Sequence, residues 1–126
     1  MTATPTHFRG VRALSIPVTD QNLALRWYTE TLGFIVVRDL PTPDGGRWIE
    51  LAPGAATPTV TLEPAPAGVA RGAIGIRFAA DDAEAAHAAL AAAGVDLDDV
   101  LHWPGAPAMF AFRDPDGNAF SVTQIE

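Results

Sequence analysis

The chain has 126 residues, of which 48% are hydrophobic and 18% are charged, a composition typical of one folded domain. Its net charge of −7 argues against nucleic acid and membranes as partners, because binding to phosphate-rich surfaces depends on clustered Lys and Arg. All eight cationic side chains are Arg and there is no Cys, which excludes disulfides, thiolate chemistry and Schiff-base chemistry. The N-terminal residues lack the apolar run of a signal peptide, so we expect a cytoplasmic protein.

The first half of the chain predicts a strand, a helix and three further strands. Hydrophobic residues alternate from Val11 to Val18, which indicates a strand. The helix begins at Asp20, whose carboxylate can accept from the free N–H groups of the first turn, and it ends at Gly33 as a left-handed cap. Turn residues then separate three predicted strands: Phe34–Leu40, Arg47–Leu51 and Thr57–Glu63.

The second half repeats this order after a predicted linker at residues 67–71 that is rich in Gly and Ala. A strand at Gly72–Ala79 precedes a helix that begins at Asp81 or Asp82 and ends at Gly94. We expect its buried stripe to be Ala86, Leu90 and Ala93. Extended segments follow at Val95–Val100, Met109–Arg113 and Ala119–Ile125.

The caps recur at an almost constant interval along the chain. Asp20 and Asp82 are 62 positions apart, and Gly33 and Gly94 are 61 positions apart. A period of this kind indicates an internal repeat. We therefore predict an α+β fold of two βαβββ modules, residues 10–66 and 72–126, within a single domain. Segment 101–108 has no counterpart in the first half, so we expect it to be a loop at the mouth of a cavity.

Three motifs resemble a known superfamily. They are V-x-D-x3-A-x2-W-Y-x3-L-G-F from Val18 to Phe34, D-D-A-E-A-A-H-A-A-L-A-A-A-G-V from Asp81 to Val95, and F-R-D-P-D-G-N from Phe112 to Asn118. Together they are similar to the glyoxalase, bleomycin-resistance and extradiol-dioxygenase superfamily, also called vicinal oxygen chelate. The resemblance implies two modules whose sheets curl around a shared cleft, with the helices outside. It implies no single reaction, because this fold carries isomerases, dioxygenases and metal-free drug-binding proteins.

Within that architecture, strand alternation separates the core residues from the cleft residues. The predicted core residues are Leu14, Ile16, Ile49, Leu51, Val60, Leu62, Ile74, Ile76, Phe78, Phe120 and Val122. The predicted cleft residues are Ala13, Ser15, Trp48, Glu50, Thr59, Thr61, Glu63, Gly75, Arg77, Ala119, Ser121 and Thr123.

The resemblance also implies where a metal ion would bind. Catalytic members hold it with a His or Gln in the first strand of each module, a residue late in the fourth strand and a Glu in the last strand. The matching positions here are Ala13, Gly75 (Ile74 if Asp81 is the matching Asp), Thr61 or Glu63, and Ser121. Only the fourth-strand position keeps a ligand, and His7, His87 and His102 lie elsewhere in the sequence. We expect no metal and no other cofactor, a divalent ion being the less favoured alternative.

The remaining cleft residues predict a small-molecule site. Its candidate ligand-binding residues are Trp48, Glu50, Thr61, Glu63, Arg77, His102, Trp103, Phe110 and Ser121. We expect Arg77 either to form a structural bridge to a Glu or to clamp an anionic ligand while Glu50 or Glu63 acts as a general base. The aromatic residues are candidates for an apolar wall.

Three functions remain open from the sequence. The first is metal-free binding of a small molecule, comparable to drug sequestration in the family. The second is a glyoxalase-type lyase or isomerase with displaced metal ligands, or a metal-independent enzyme with a Glu base. The third is an interaction module whose cleft is filled by its own side chains. The resemblance also implies a homodimer, with the cleft closed within one chain or across two.

Overall fold

The computed structural model describes residues 2–55, 58–66 and 72–125. The elements of the first module are β1 (Ala13–Val18), α1 (Gln21–Glu30), β2 (Ile35–Pro41), β3 (Arg47–Ala52) and β4 (Thr59–Pro64). Those of the second are β5 (Ala73–Ala80), α2 (Ala83–Ala92), β6 (Asp96–Leu97), β7 (Met109–Arg113) and β8 (Ala119–Gln124). The predicted linker at 67–71 and the predicted strand start at Thr57 lie outside the described residues.

The two modules have the same sheet topology. One four-stranded sheet has the order β1-β4-β3-β2 and the other has the order β5-β8-β7-β6. In each sheet the first strand of the module runs parallel to the last, and the remaining pairs are antiparallel. The predicted fold of two βαβββ modules is confirmed, and neither sheet closes on itself.

Both helices begin where the sequence places an Asp. The carboxylate of Asp20 accepts from the backbone N–H of Leu23 at 3.1 Å, and that of Asp82 accepts from Ala85 at the same distance. Asp82, and not Asp81, is therefore the N-cap of α2. Gly33 and Gly94 follow the two helices with φ of 73° and 79°, a backbone conformation that favours Gly.

Two details of the second module differ from the prediction. Ala93 is exposed instead of lying in a buried stripe, because α2 ends at Ala92 and Ala93 is already in the turn. The one fully buried residue of α2 is Ala83, in its first turn. The segment predicted to be extended from Val95 to Val100 pairs as a strand only at Asp96–Leu97.

One core joins the helix-facing sides of both sheets. Every residue predicted to be core is buried or packs against the buried cluster. Aromatic rings cross between the modules: Phe34 lies 5.6 Å from Phe78, and Tyr28 lies 6.4 Å from Phe120, measured between ring centroids. The hydrophobic effect therefore holds the modules together on the side where the helices lie. No helix among the described residues is long and apolar enough to cross a membrane.

A buried carboxylate adds directional bonds to this contact. The hydroxyl of Tyr28 donates to Oδ2 of Asp114 at 2.6 Å, and the amide of Asn118 donates to the same oxygen at 2.8 Å. That amide also donates to the carbonyl of Pro17 in the first module at 2.8 Å. Burial, followed by the nearby charge of Asp114, raises the pKa of Tyr28 far above its usual value. Tyr28 is therefore a neutral donor that links α1 to the turn before β8.

Replacing Tyr28 with Phe tests this link. The variant keeps the ring in the core but removes one donor to a buried charge, so we expect it to lower the free energy of unfolding by about 1–3 kcal/mol. Urea unfolding followed by circular dichroism measures the change. Thr29→Ala is the control, because that hydroxyl bonds only within α1, to the carbonyls of Leu25 and Arg26. Equal losses in the two variants would contradict the link between the modules.

Candidate functional site: the open faces of the two sheets

Each sheet has one face that points away from the core. On the first sheet this surface, here called the first open face, carries Ser15, Arg38, Trp48, Glu50, Thr59, Thr61 and Glu63. On the second sheet the second open face carries Gly75, Arg77, Ala111, Ala119, Ser121 and Thr123. On the second sheet these residues alternate with buried ones along β7 and β8, as expected from strand geometry, whereas Glu50, Thr59 and Thr61 on the first sheet are themselves buried. The polar residues predicted to line a cleft therefore lie on two surfaces, one on each sheet.

Glu50 lies at the centre of the first open face and is only 2% exposed. One carboxylate oxygen accepts from the hydroxyl of Thr59 at 2.7 Å. The other accepts from the indole N–H of Trp48 and Nε of Arg38, both at 3.2 Å, and from Nη2 of Arg12 at 3.5 Å. A buried charge is tolerated when it is paired and hydrogen-bonded in this way.

These contacts favour the ionised form of Glu50. The hydroxyl of Thr59 is the largest cause that lowers the pKa of Glu50 below its usual value; burial opposes it, and Trp48, Arg12 and Arg38 add to it. A carboxylate with a lowered pKa is a weak proton acceptor. Its geometry therefore suits a structural ion pair better than a general base.

Further hydrogen bonds join polar side chains of the first open face on β1 and β4. The hydroxyls of Ser15 and Thr61 hydrogen-bond across the parallel strands at 3.2 Å, and the hydroxyl of Thr61 lies 3.2 Å from the carboxylate of Glu63. Glu63 is only partly buried. Thr61 and Glu63 are thus brought together on one surface, next to Glu50.

Arg77 lies on the other sheet and is exposed. Its Nη1 donates to the hydroxyl of Ser121 at 3.3 Å. No carboxylate of the described residues lies within 4.0 Å of its guanidinium, so the predicted Arg–Glu bridge is formed by Arg12 and Arg38 instead of Arg77. A cavity of about 200 Å³ lies beside it, lined by Ala73, Gly75, Ala111, Ala119 and Ser121 among others.

The predicted aromatic wall is not assembled in one place. Trp48 is 37% exposed on the first open face and is bonded to Glu50. Phe110 is 2% exposed and points into the core, where its ring centroid lies 5.1 Å from that of His87. Trp103 is 49% exposed in the loop before β7. Of the three, Trp48 alone shares a surface with the polar candidates.

Two of the three histidines are held by local contacts. His102 pairs with Glu84 of α2 at 2.7 Å, which places its imidazole on the helix side of the second module. His87 on α2 contacts the carbonyl of Asp98 at 2.9 Å. His7 is exposed in the segment before β1. Among the described residues, none of the three forms a hydrogen bond or ion pair with a residue of the open faces.

The donor set does not fit the family's metal ion. Ala13 and Gly75 have no side-chain ligand, Ser121 supplies a neutral hydroxyl where a carboxylate is needed, and Thr61 is bonded to its neighbours. Across the described parts of the chain, no three His, Asp or Glu side chains are grouped closely enough to hold a metal ion. A stable site needs at least three good ligands.

Comparison with known proteins identifies the family. Residues 7–122 match the model of the Glyoxalase/Bleomycin resistance protein/Dioxygenase superfamily, and the chain belongs to this superfamily. No curated protein matches the sequence significantly.

Solved structures match over almost the whole chain. The antibiotic-binding protein TnmS3 from a Streptomyces species is 31% identical, with a TM-score of 0.82 over 95% of this chain and 98% of that one. A superfamily member from Sphaerobacter thermophilus is 29% identical, with a TM-score of 0.85 over 94% and 98%. A lactoylglutathione lyase from Agrobacterium tumefaciens is 19% identical, with a TM-score of 0.72 over 94% and 95%, and shows the shared fold alone.

The partners of Glu50 were not predicted from the sequence. Arg12 precedes β1, and Arg38 faces Glu50 only because the pairing of β2 with β3 shifts between Val36 and Arg38. Strict alternation across β2 cannot reveal such a bulge. The only sign of these ion pairs in the sequence was that two Arg residues could reach the strand that carries Glu50.

A change in pH tests the state of Glu50. Because its pKa is lower in the folded chain than in the unfolded chain, its ionised form stabilises the fold above the unfolded pKa, and this stability is lost as the pH falls through the folded pKa. Glu50→Gln should therefore lower the free energy of unfolding by about 1–3 kcal/mol at pH 7. The difference from the wild type should become smaller as the pH falls below 4.5, the ordinary pKa of Glu. Urea unfolding from pH 7 to pH 3 measures it. Glu30→Gln, at the exposed end of α1, is the control, and a deficit that does not change with pH would refute this account.

Proposed function

We propose that this protein binds a small organic molecule on its open faces without the help of a metal ion. The observation that carries the proposal is the second open face, where a cavity with a floor of small apolar residues adjoins an Arg that no described carboxylate neutralises. Ligand sites in proteins are largely apolar and contain a few polar anchors. This surface has that composition.

Three further findings support binding rather than catalysis. TnmS3, which matches 95% of this chain, is described as an antibiotic-binding protein. Glu50 is bonded to four donors and has a lowered pKa, so it is a weak candidate for a general base. A lyase or isomerase of the glyoxalase type would need metal ligands at positions that here carry Ala13, Gly75 and Ser121. Sequestration of a small molecule requires none of them.

Thermal unfolding with two sets of additives tests this proposal. A compound that binds only the folded chain raises the melting temperature by mass action. We expect at least one compound of a panel of aromatic acids, amides and amines to raise it by several degrees at about 100 times its Kd. Zn²⁺, Ni²⁺, Mn²⁺ and Mg²⁺ should leave it unchanged. Stabilisation by a divalent ion that a chelator reverses would favour the enzymatic alternative.

We also propose that two copies of the chain form a homodimer. Four apolar side chains of the edge strand β2 are exposed: Ile35, Val36, Val37 and Leu40, with Ile35 at 67%. Exposed apolar side chains on an edge strand are typical of interaction sites, and an interface with two-fold symmetry is the commonest way to cover them. The cytoplasmic location stays a prediction from the sequence.

Light scattering after gel filtration tests the dimer. The wild type should have twice the chain mass of 13.2 kDa, and Ile35→Asp should shift it to the monomer because a charge would be buried without a partner. Ile125→Asp is the control, since this residue is also exposed, at 52%, but lies near the C-terminus. A wild type that is monomeric at high concentration would refute the dimer.

A further inference from the structure

We propose that the ligand of the second open face is a flat aromatic molecule with a carboxylate group, which Arg77 and Ser121 bind while its rings lie on Gly75, Ala111 and Ala119. This inference rests on the proposed function and defines its ligand class. It excludes neutral and cationic molecules as the preferred ligands of this surface.

The charge of Arg77 favours an anionic ligand. Four other Arg residues of the described chain form ion pairs: Arg12, Arg38, Arg47 and Arg113. Arg77 lines the cavity of the second open face, and none of the described Asp or Glu residues lies within 4.0 Å of its guanidinium. Asp81 lines an adjoining cavity with Arg77 but forms no ion pair with it. In a chain of net charge −7, a cation that faces a cavity without a carboxylate partner is available to an anionic ligand.

The shape of the cavity floor on the second open face favours an aromatic ring. Gly75, Ala119 and Ala111 lie on β5, β8 and β7, which are neighbours in the sheet. Three neighbouring strands span about 10 Å, which is enough for two fused aromatic rings. A β-carbon built on Gly75 would meet no atom within 4 Å, so the space above it is open. Large side chains at these positions would fill the space that a ring needs.

A bulge in β5 sets the position of Arg77 relative to this floor. Ala73 pairs with Ala119 and Arg77 pairs with Ser121, so four positions on β5 span two on β8. Gly75 lies between them with φ of 76°, a conformation that strains other residues. Bulges commonly redirect a side chain next to a functional site. Here the shift places Arg77 directly opposite Ser121.

The hydroxyl next to Arg77 favours a carboxylate as the anionic group. The hydroxyl of Ser121 accepts from Arg77, which leaves its own hydrogen free to donate to an anion. The hydroxyl of Thr123, further along β8, has no partner among the described residues, but it is buried and does not line this cavity. One guanidinium and the hydroxyl of Ser121 match the two oxygens of a carboxylate. The donor set therefore favours a monoanionic carboxylate.

Three probes of equal shape test the ligand class: 2-naphthoate, 2-naphthamide and 2-naphthylmethylammonium. Binding to the full-length protein is measured by NMR titration, with the amide signals of Gly75 and Ala111 reporting on the second open face. We expect the wild type to bind naphthoate about tenfold more tightly than naphthamide, as charge-assisted hydrogen bonds predict. The ammonium probe should bind most weakly.

Variants separate charge from shape. Arg77→Gln should remove the preference for naphthoate, and Arg77→Lys should retain only part of it because Lys lacks the planar fork of donors. Ala111→Leu should weaken all three probes by covering the floor. Arg26→Gln, on the exposed side of α1, removes the same charge elsewhere and should behave like the wild type. Melting temperatures verify that each variant is folded.

The outcomes distinguish this inference from the proposed function. Equal binding of naphthoate and naphthamide at the second open face, or a preference for the ammonium probe, would overturn the carboxylate inference and leave small-molecule binding intact. A preference for naphthoate that persists in Arg77→Gln would also overturn it. If none of the probes shifts any signal at millimolar concentration, the carboxylate inference is refuted, whereas the proposed function is refuted only if the thermal-unfolding panel also yields no stabilising compound.

Discussion

The contact between the two modules lies on one side of the molecule, around the buried carboxylate of Asp114. Tyr28 and Asn118 donate to it, and the ring of Tyr28 also packs against that of Phe120 in the second module. Because the helix-facing sides of both sheets are used in this contact, the opposite faces take no part in it. Everything proposed for the function of this chain depends on those two open faces.

The open faces differ in how their charges are satisfied. On the first, Glu50 is surrounded by donors, including Arg12 and Arg38, so its charge is already compensated within the chain. On the second, the hydroxyl of Ser121 is the only side-chain hydrogen-bond partner of Arg77 among the described residues, and no described carboxylate pairs with it. A compensated charge stabilises a surface, whereas an uncompensated one can attract a ligand. The second sheet is therefore the better candidate for recognition.

Part of the site was predictable and part was not. From the sequence, the alternation of β3, β4 and β8 predicted that Glu50, Thr61 and Ser121 lie on the faces away from the core. The prediction was wrong for Phe110, which alternates with Ala111 and shares its face with the buried Phe112. Nor did it reveal the partner of Glu50, since a bulge in β2 turns Arg38 toward it.

The sequence by itself determined the local features of this protein: the Asp and Gly residues that bound its helices, the strand faces, the repeated module, and the lack of imidazole or carboxylate at three positions where catalytic relatives bind metal. These follow from backbone geometry and residue chemistry within a few positions of each other. Only the tertiary structure decided which Arg neutralises Glu50 and which one faces a cavity. Such pairings join distant segments of the chain, and they depend on bulges and register that short-range patterns do not specify.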